Sequence, residues 1–108
     1  MRQERKGTDR EFIVYGLTLY NKVFYVGKTS IKLKDRLRIH KTTNKKVKDY
    51  CKGKINDIKI ITLERCLNLT ELHEREIFWI NIFKSTNNDL LNYQYCTNRI
   101  IPKKYLLL

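Results

Sequence analysis

Glu76 stands where a carboxylate needs a reason. In the run ELHEREIFWINIF, Leu72, Ile80 and Phe83 recur at the spacing of one helical face, with Trp79 beside them, and Glu76 lies four residues from both Leu72 and Ile80. A carboxylate in an apolar stripe must be paired, because burying it alone is costly. Its partner is either an Arg in a structural ion pair or a cation held at the sheet surface. Arg36 and His40 stand at i and i+4 in DRLRIH, on one helix face, with Lys32 a turn earlier and Leu33 and Leu37 in the adjoining stripe. A guanidinium offers a planar fork to phosphate oxygens and an imidazole holds or relays a proton near neutral pH, although such pairs also occur on ordinary solvated helices. Tyr15 in FIVYG and Tyr25 in FYVGK complete the set. A strand tyrosine is by default an amphipathic core residue. A phenol acts as a base once cations lower its pKa from about 10, and Lys28 is one available cation.

These side chains need elements to hold them. Glu11 to Leu19 is β-branched and aromatic and reads as a strand, Tyr20 to Lys22 as a turn, and Val23 to Lys28 as the partner strand of a hairpin. Thr29 or Ser30 is expected to cap a helix reaching about Lys41. Lys45 to Gly53 reads as a short basic helix or loop, and Ile55 to Glu64 as a third strand. Asn68 to Glu71 has the form of a capping box, opening a helix from Thr70 to about Lys84. STNND breaks that helix, and LLNYQYC begins an irregular return. This order predicts an α+β fold with a small, about three-stranded antiparallel sheet flanked by α-helices. Residues 1–10 are polar and expected to be a flexible N-terminus, with residues 11–108 a single domain.

Charge names the partner. The formal net charge is +12, and the stretch from Lys28 to Lys54 holds eleven Lys and Arg against two acids. So concentrated a block favours a basic face over a merely solvated one, and nucleic acid gains affinity from such a face through counterion release. The candidate phosphate contacts are Lys28, Lys32, Lys34, Arg38, Lys41, Lys45, Lys46 and Lys48. A membrane surface fits less well, because the block lacks the interleaved aromatic and Leu face of an interfacial helix. A basic structural protein binding through charge alone gives no reason for Glu76 to lie in an apolar stripe. Cys51, Cys66 and Cys96 are odd in number and far apart, which argues against a disulfide framework or a structural zinc site. With no signal-like or membrane-length apolar run, the chain is expected to be intracellular.

The same residues carry a family resemblance. Val14-Tyr15 and, ten residues on, Tyr25-Val26-Gly27 resemble the two tripeptides that name the GIY-YIG nucleases. Arg36 follows nine residues after Gly27 with His40 one helical turn beyond, His73 to Ile80 is similar to the segment carrying the family's metal-binding Glu, and Leu90-Leu91-Asn92 to its closing segment. The style is closest to the catalytic domains of phage homing endonucleases. There are departures: Ile13 replaces the first glycine, Val26 replaces an isoleucine, and no zinc module or DNA-targeting domain follows.

The resemblance implies a metal-dependent DNA endonuclease that nicks one strand per active site, leaving a 5′-phosphate and a 3′-hydroxyl. It assigns Tyr15 as general base, or Tyr25 in its place, with His40 and Lys28 favouring the phenolate. Arg36 would clamp the phosphate, Glu76 would hold one Mg²⁺ or Mn²⁺, and Asn92 would orient Glu76 or a metal-bound water. DNA is the implied partner, and a homodimer or a separate targeting partner would supply a second cut or an address. The alternative is a non-catalytic basic nucleic-acid-binding module on the same scaffold.

Overall fold

Strand β1 (Phe12–Leu19) is buried on both of its faces, and the rest of the molecule is arranged by that fact. In a computed structural model, which describes residues 11–86 and 90–92, β1 is the middle strand of a three-stranded sheet. The order is β2 (Lys22–Thr29), β1, β3 (Ile58–Cys66), with both pairings antiparallel. Side chains alternate across a strand, so β1 feeds two cores. Ile13, Tyr15 and Leu17 join Phe24, Val47, Cys51, Ile58 and Leu91 on one face, with Leu33 and Leu37 packed against them. Val14 joins Val26, Cys66, Leu72, Ile80 and Leu90 on the other, with Trp79 and Phe83 alongside. Helices α1 (Leu33–Thr43) and α2 (Lys45–Cys51) therefore cover the first face, and α3 (Leu69–Thr86) covers the second. The expected α+β class and antiparallel sheet are both observed.

Two register shifts bend the sheet where chemistry is expected. One lies between Leu17 and Thr18 on the β2 side, and the other between Val14 and Tyr15 on the β3 side. Such irregularities re-aim the side chains beside them. The hairpin turns through Tyr20 and Asn21, both in the left-handed region (φ 53° and 67°), which suits a two-residue turn between twisted strands.

Several boundaries differ from the sequence reading. Neither Thr29 nor Ser30 caps α1. Lys32 occupies that position without a side-chain bond, because the Thr29 hydroxyl already accepts from the Ile31 amide (3.1 Å) and from Arg36 Nε (3.2 Å). A short 3₁₀ turn (Ile55–Asp57) precedes β3, so the strand begins at Ile58 and ends at Cys66. The capping box at α3 is present in modified form. Asn68 Oδ1 accepts from the Glu71 amide (2.8 Å), while the Glu71 carboxylate reaches back one residue further, to the Leu67 amide (2.6 Å). Cys51 and Cys66 are buried free thiols, and burial raises the pKa of both, as expected of inert core cysteines. The expectations for residues 1–10, for the helix break at 87–89, for Cys96 and for the tail lie outside the described residues.

Candidate active site

The residues singled out by spacing meet in one cleft of about 650 Å³. Tyr15, Tyr25, Arg36 and His40 line it together with Lys28 and Glu76. They arrive from opposite sides of the sheet. Tyr15 pairs with Gly27 and Leu17 with Tyr25, which places both tyrosines on the face covered by α1. Lys28 pairs with Val14, on the face covered by α3, and from there its ammonium reaches Glu76 Oε1 (3.4 Å) and His73 Nδ1 (3.0 Å). The cleft thus joins the two faces beside β2.

Tyr15 is buried, with its hydroxyl 2.6 Å from His40 Nε2. The ring lies over Gly27 so closely that a Cβ there would sit 2.5 Å from Tyr15 Cζ. Only glycine leaves room for the phenol, and the second tripeptide's last residue is therefore steric in purpose. The missing glycine of the first tripeptide has an equally plain account, because Ile13 is 1% exposed and fills the core in its place. Arg36 is aimed by Thr29, whose hydroxyl accepts from its Nε and leaves the terminal nitrogens of the fork for other partners. His40 is held at both ends, by Tyr15 at Nε2 and by Asn44 Nδ2 at Nδ1 (2.8 Å).

The electrostatics depart from the expectation that charge from Lys28 and His40 favours a Tyr15 phenolate, and leave His40 only its hydrogen bond to do so. Burial, then the neighbouring Tyr25, raises the Tyr15 pKa above its ordinary value, with Arg36 opposing and Glu76 adding to the rise. The cation acting on Tyr15 is Arg36, since Lys28 sits on the other face and spends its charge on Glu76. Burial and then Arg36 lower the His40 pKa to about 4, so the imidazole is neutral at neutral pH.

Glu76 has its predicted partner in kind but not in identity. Its side chain is only 12% exposed and its cation is Lys28, not an Arg. The neighbouring Arg75 is committed elsewhere, to Glu64, which also accepts from Trp79 Nε1 (2.7 and 2.9 Å) and so pins α3 to β3. Asn92 does not reach Glu76. Its side chain is spent on the backbone of Val26, accepting from N and donating to O at 2.6 Å each. Val26 lies between Tyr25 and Gly27 in an outer strand of the described sheet, so Asn92 pins the very segment that carries the second tyrosine.

Of the eight basic residues expected to meet phosphate, Lys28, Lys45 and Lys46 line the cleft, as does Arg36. Arg38 is paired with Asp35 (3.0 Å), Lys45 with Asp49 (2.8 Å), and Lys48 donates to the Thr42 carbonyl (3.4 Å). Lys32 and Lys34 are exposed and Lys41 is half-buried. Lys32 was expected to share the face of Arg36 and His40, but its backbone is extended (φ −61°, ψ 144°) and helical phase does not carry it there. Thr29, Asn44 and His73 were not among the expected site residues. Nothing in their local spacing marks them, because each acquires its role from a partner on another element or across a turn.

An antiparallel sheet sandwiched between helices thus brings tyrosines, an arginine, a histidine and a carboxylate into one basic cleft. The family model of the GIY-YIG catalytic domain matches residues 11–89, and the chain belongs to that family, whose chemistry is that of nucleases. Neither the curated proteins nor the solved structures return a match. Among the described residues no helix is long and apolar enough to cross a membrane.

Proposed function

We propose that this domain is a metal-dependent DNA endonuclease that hydrolyses one phosphodiester per active site. The observation that carries the reading is the convergence of Tyr15, Tyr25, Arg36 and His40 from one face with Lys28 and Glu76 from the other. Glu76 fits a hard divalent cation. It is a largely buried carboxylate at the cleft whose Oε1 already faces a positive group. Among the described residues no three His, Cys, Asp or Glu side chains cluster around it, so water and substrate oxygens would complete the coordination. A bound Mg²⁺ or Mn²⁺ would supply Lewis-acid polarisation of the phosphate.

The chain's own residues do the rest. Arg36, with its Nε anchored on Thr29, presents its terminal nitrogens to a phosphate and stabilises the charge that grows there. Tyr15, as phenolate, takes the proton of the attacking water, and Tyr25 stands in the same cleft as the second phenol. Lys28 spans Glu76 and His73 and is positioned to meet a phosphate oxygen once one enters. Lys45 and Lys46 extend the basic surface along the backbone, giving affinity and position without sequence information. Membership of the family points to 5′-phosphate and 3′-hydroxyl ends, and with one phosphodiester cut per site a double-strand break needs two sites or two visits.

The test is conversion of supercoiled plasmid to nicked circle with Mg²⁺ or Mn²⁺ and with chelator, comparing wild type and Glu76→Ala. Nicking that needs metal and vanishes in the variant supports the reading. Equal nicking by both proteins removes Glu76 from the mechanism. Tight DNA binding without cleavage in either metal overturns the enzyme and leaves the non-catalytic basic module.

A further inference from the structure

The link between α1 and α2 is one residue, Asn44, and it acts on three groups at once. It ends α1, caps α2, and touches His40. Its Oδ1 accepts from the Val47 amide at 3.1 Å. A peptide N–H can only donate, so this bond settles which end of the Asn44 amide faces which way. The Nδ2 end is left to face His40 Nδ1 at 2.8 Å, and an amide nitrogen can only donate.

We propose that Asn44 is a positioning residue that locks His40 in the tautomer bearing its proton on Nε2. The steps follow from donors and acceptors alone. Nδ1 receives a hydrogen bond, so it carries a lone pair. A neutral imidazole has one N–H, which must then be on Nε2. Nε2 lies 2.6 Å from the Tyr15 hydroxyl, so the ring donates and the phenolic oxygen accepts. His40 therefore cannot take a proton from Tyr15. It is a fixed donor that steadies a phenolate, and the phenol's own hydrogen is turned away from the ring. An imidazolium would set N–H against N–H at Asn44, which holds the ring neutral in the same direction as burial and Arg36 do. Among the described residues, the ionisable groups that pack against or act on the ring are Tyr15 from β1, Tyr25 from β2 and Arg36 from α1.

The tautomer stands on geometry, while its effect on rate rests on the proposed nuclease, and the test separates them. Long-range proton–nitrogen NMR of the ¹⁵N-labelled chain, without metal or DNA, reads the protonated ring nitrogen of His40 directly. The expected result is a bare Nδ1 and a protonated Nε2. Asn44→Asp keeps the cap, since Asp serves there as well as Asn, but offers His40 an acceptor in place of a donor. The variant should move the proton to Nδ1 at pH 9 with the thermal midpoint of unfolding little changed. At that pH, where the ring is neutral in both proteins, plasmid nicking should fall at least about tenfold, because the Nε2 lone pair now opposes a phenolate. A protonated Nδ1 in the wild type, or an unmoved tautomer in Asn44→Asp, overturns the assignment. A moved tautomer with wild-type nicking overturns the role in rate. An inactive wild type sinks the nuclease and leaves the NMR result standing.

Discussion

The Tyr15 hydroxyl and His40 Nε2 lie 2.6 Å apart, and burial moves their two pKa values in opposite directions. Tyr15 is pushed up and His40 down to about 4, so both groups are held neutral across the physiological range. Desolvation penalises whichever form is charged, which is phenolate for one and imidazolium for the other. On the nuclease reading, a base for water must then be generated at the moment of reaction by what enters the cleft, together with the charge of Arg36, which lowers the Tyr15 pKa, and the hydrogen bond from His40.

Acid should unfold the protein partly through His40. Its folded pKa of about 4 lies below the ordinary 6.5, so the unfolded chain binds the proton more tightly. The contribution of the neutral ring is complete above pH 6.5 and is lost as pH falls towards 4. At pH 5 the loss is roughly 2 kcal/mol by linkage. Urea unfolding of wild type and His40→Gln at pH 7 and pH 5 measures it. The drop between the two pH values should be smaller in the variant by about that amount. An equal drop in both proteins would mean that the ring titrates normally.

Gly27→Ala should cost activity far more than fold. The added methyl would meet the Tyr15 ring at 2.5 Å from Cζ, so the phenol has to move and the bond to His40 Nε2 is lost. Overpacking of this kind costs about 1–3 kcal/mol. Nicking should fall by at least about a hundredfold if the displaced phenol is the base, the lower end of the effect of a general base. A variant that remains folded by circular dichroism and nicks at the wild-type rate would remove Tyr15 from the mechanism and favour Tyr25.

The limits of the sequence follow the range of each interaction. Strand and helix periodicity is local, so β1, β2 and α3 were legible to within a residue or two, and the i, i+4 pair Arg36 and His40 came with its face. Glu76 was legible as a carboxylate requiring a cation, because its neighbours at one helical turn are apolar. Its cation was not, since Lys28 stands on β2, far away in sequence, and meets Glu76 only when α3 packs on that face of the sheet. Asn44 and Thr29 act within or just beyond turns whose geometry no periodic pattern encodes. The sign of the Tyr15 shift was missed because it depends on depth of burial, and the count of nearby cations is a poor guide to that.

Asn92 gives the sharpest contrast between an expected role and an observed contact. As an aid to the metal, its loss should weaken cation binding and leave stability alone. The structure instead spends its amide on the N–H and C=O of Val26, 66 residues away in sequence, and buries it to 4% exposure. Asn92→Ala leaves both backbone groups without that partner, at a cost of about 1–3 kcal/mol for each group left buried. Tyr25 and Gly27 flank Val26, so a loosened strand displaces one phenol and removes the floor beneath the other. The expected outcome is a urea midpoint lowered well beyond the effect of Glu76→Ala, with nicking impaired and with Mn²⁺ affinity, measured by its paramagnetic broadening of NMR signals, close to wild type. A variant as stable as wild type that has lost Mn²⁺ binding would return Asn92 to the metal and remove it from the strand.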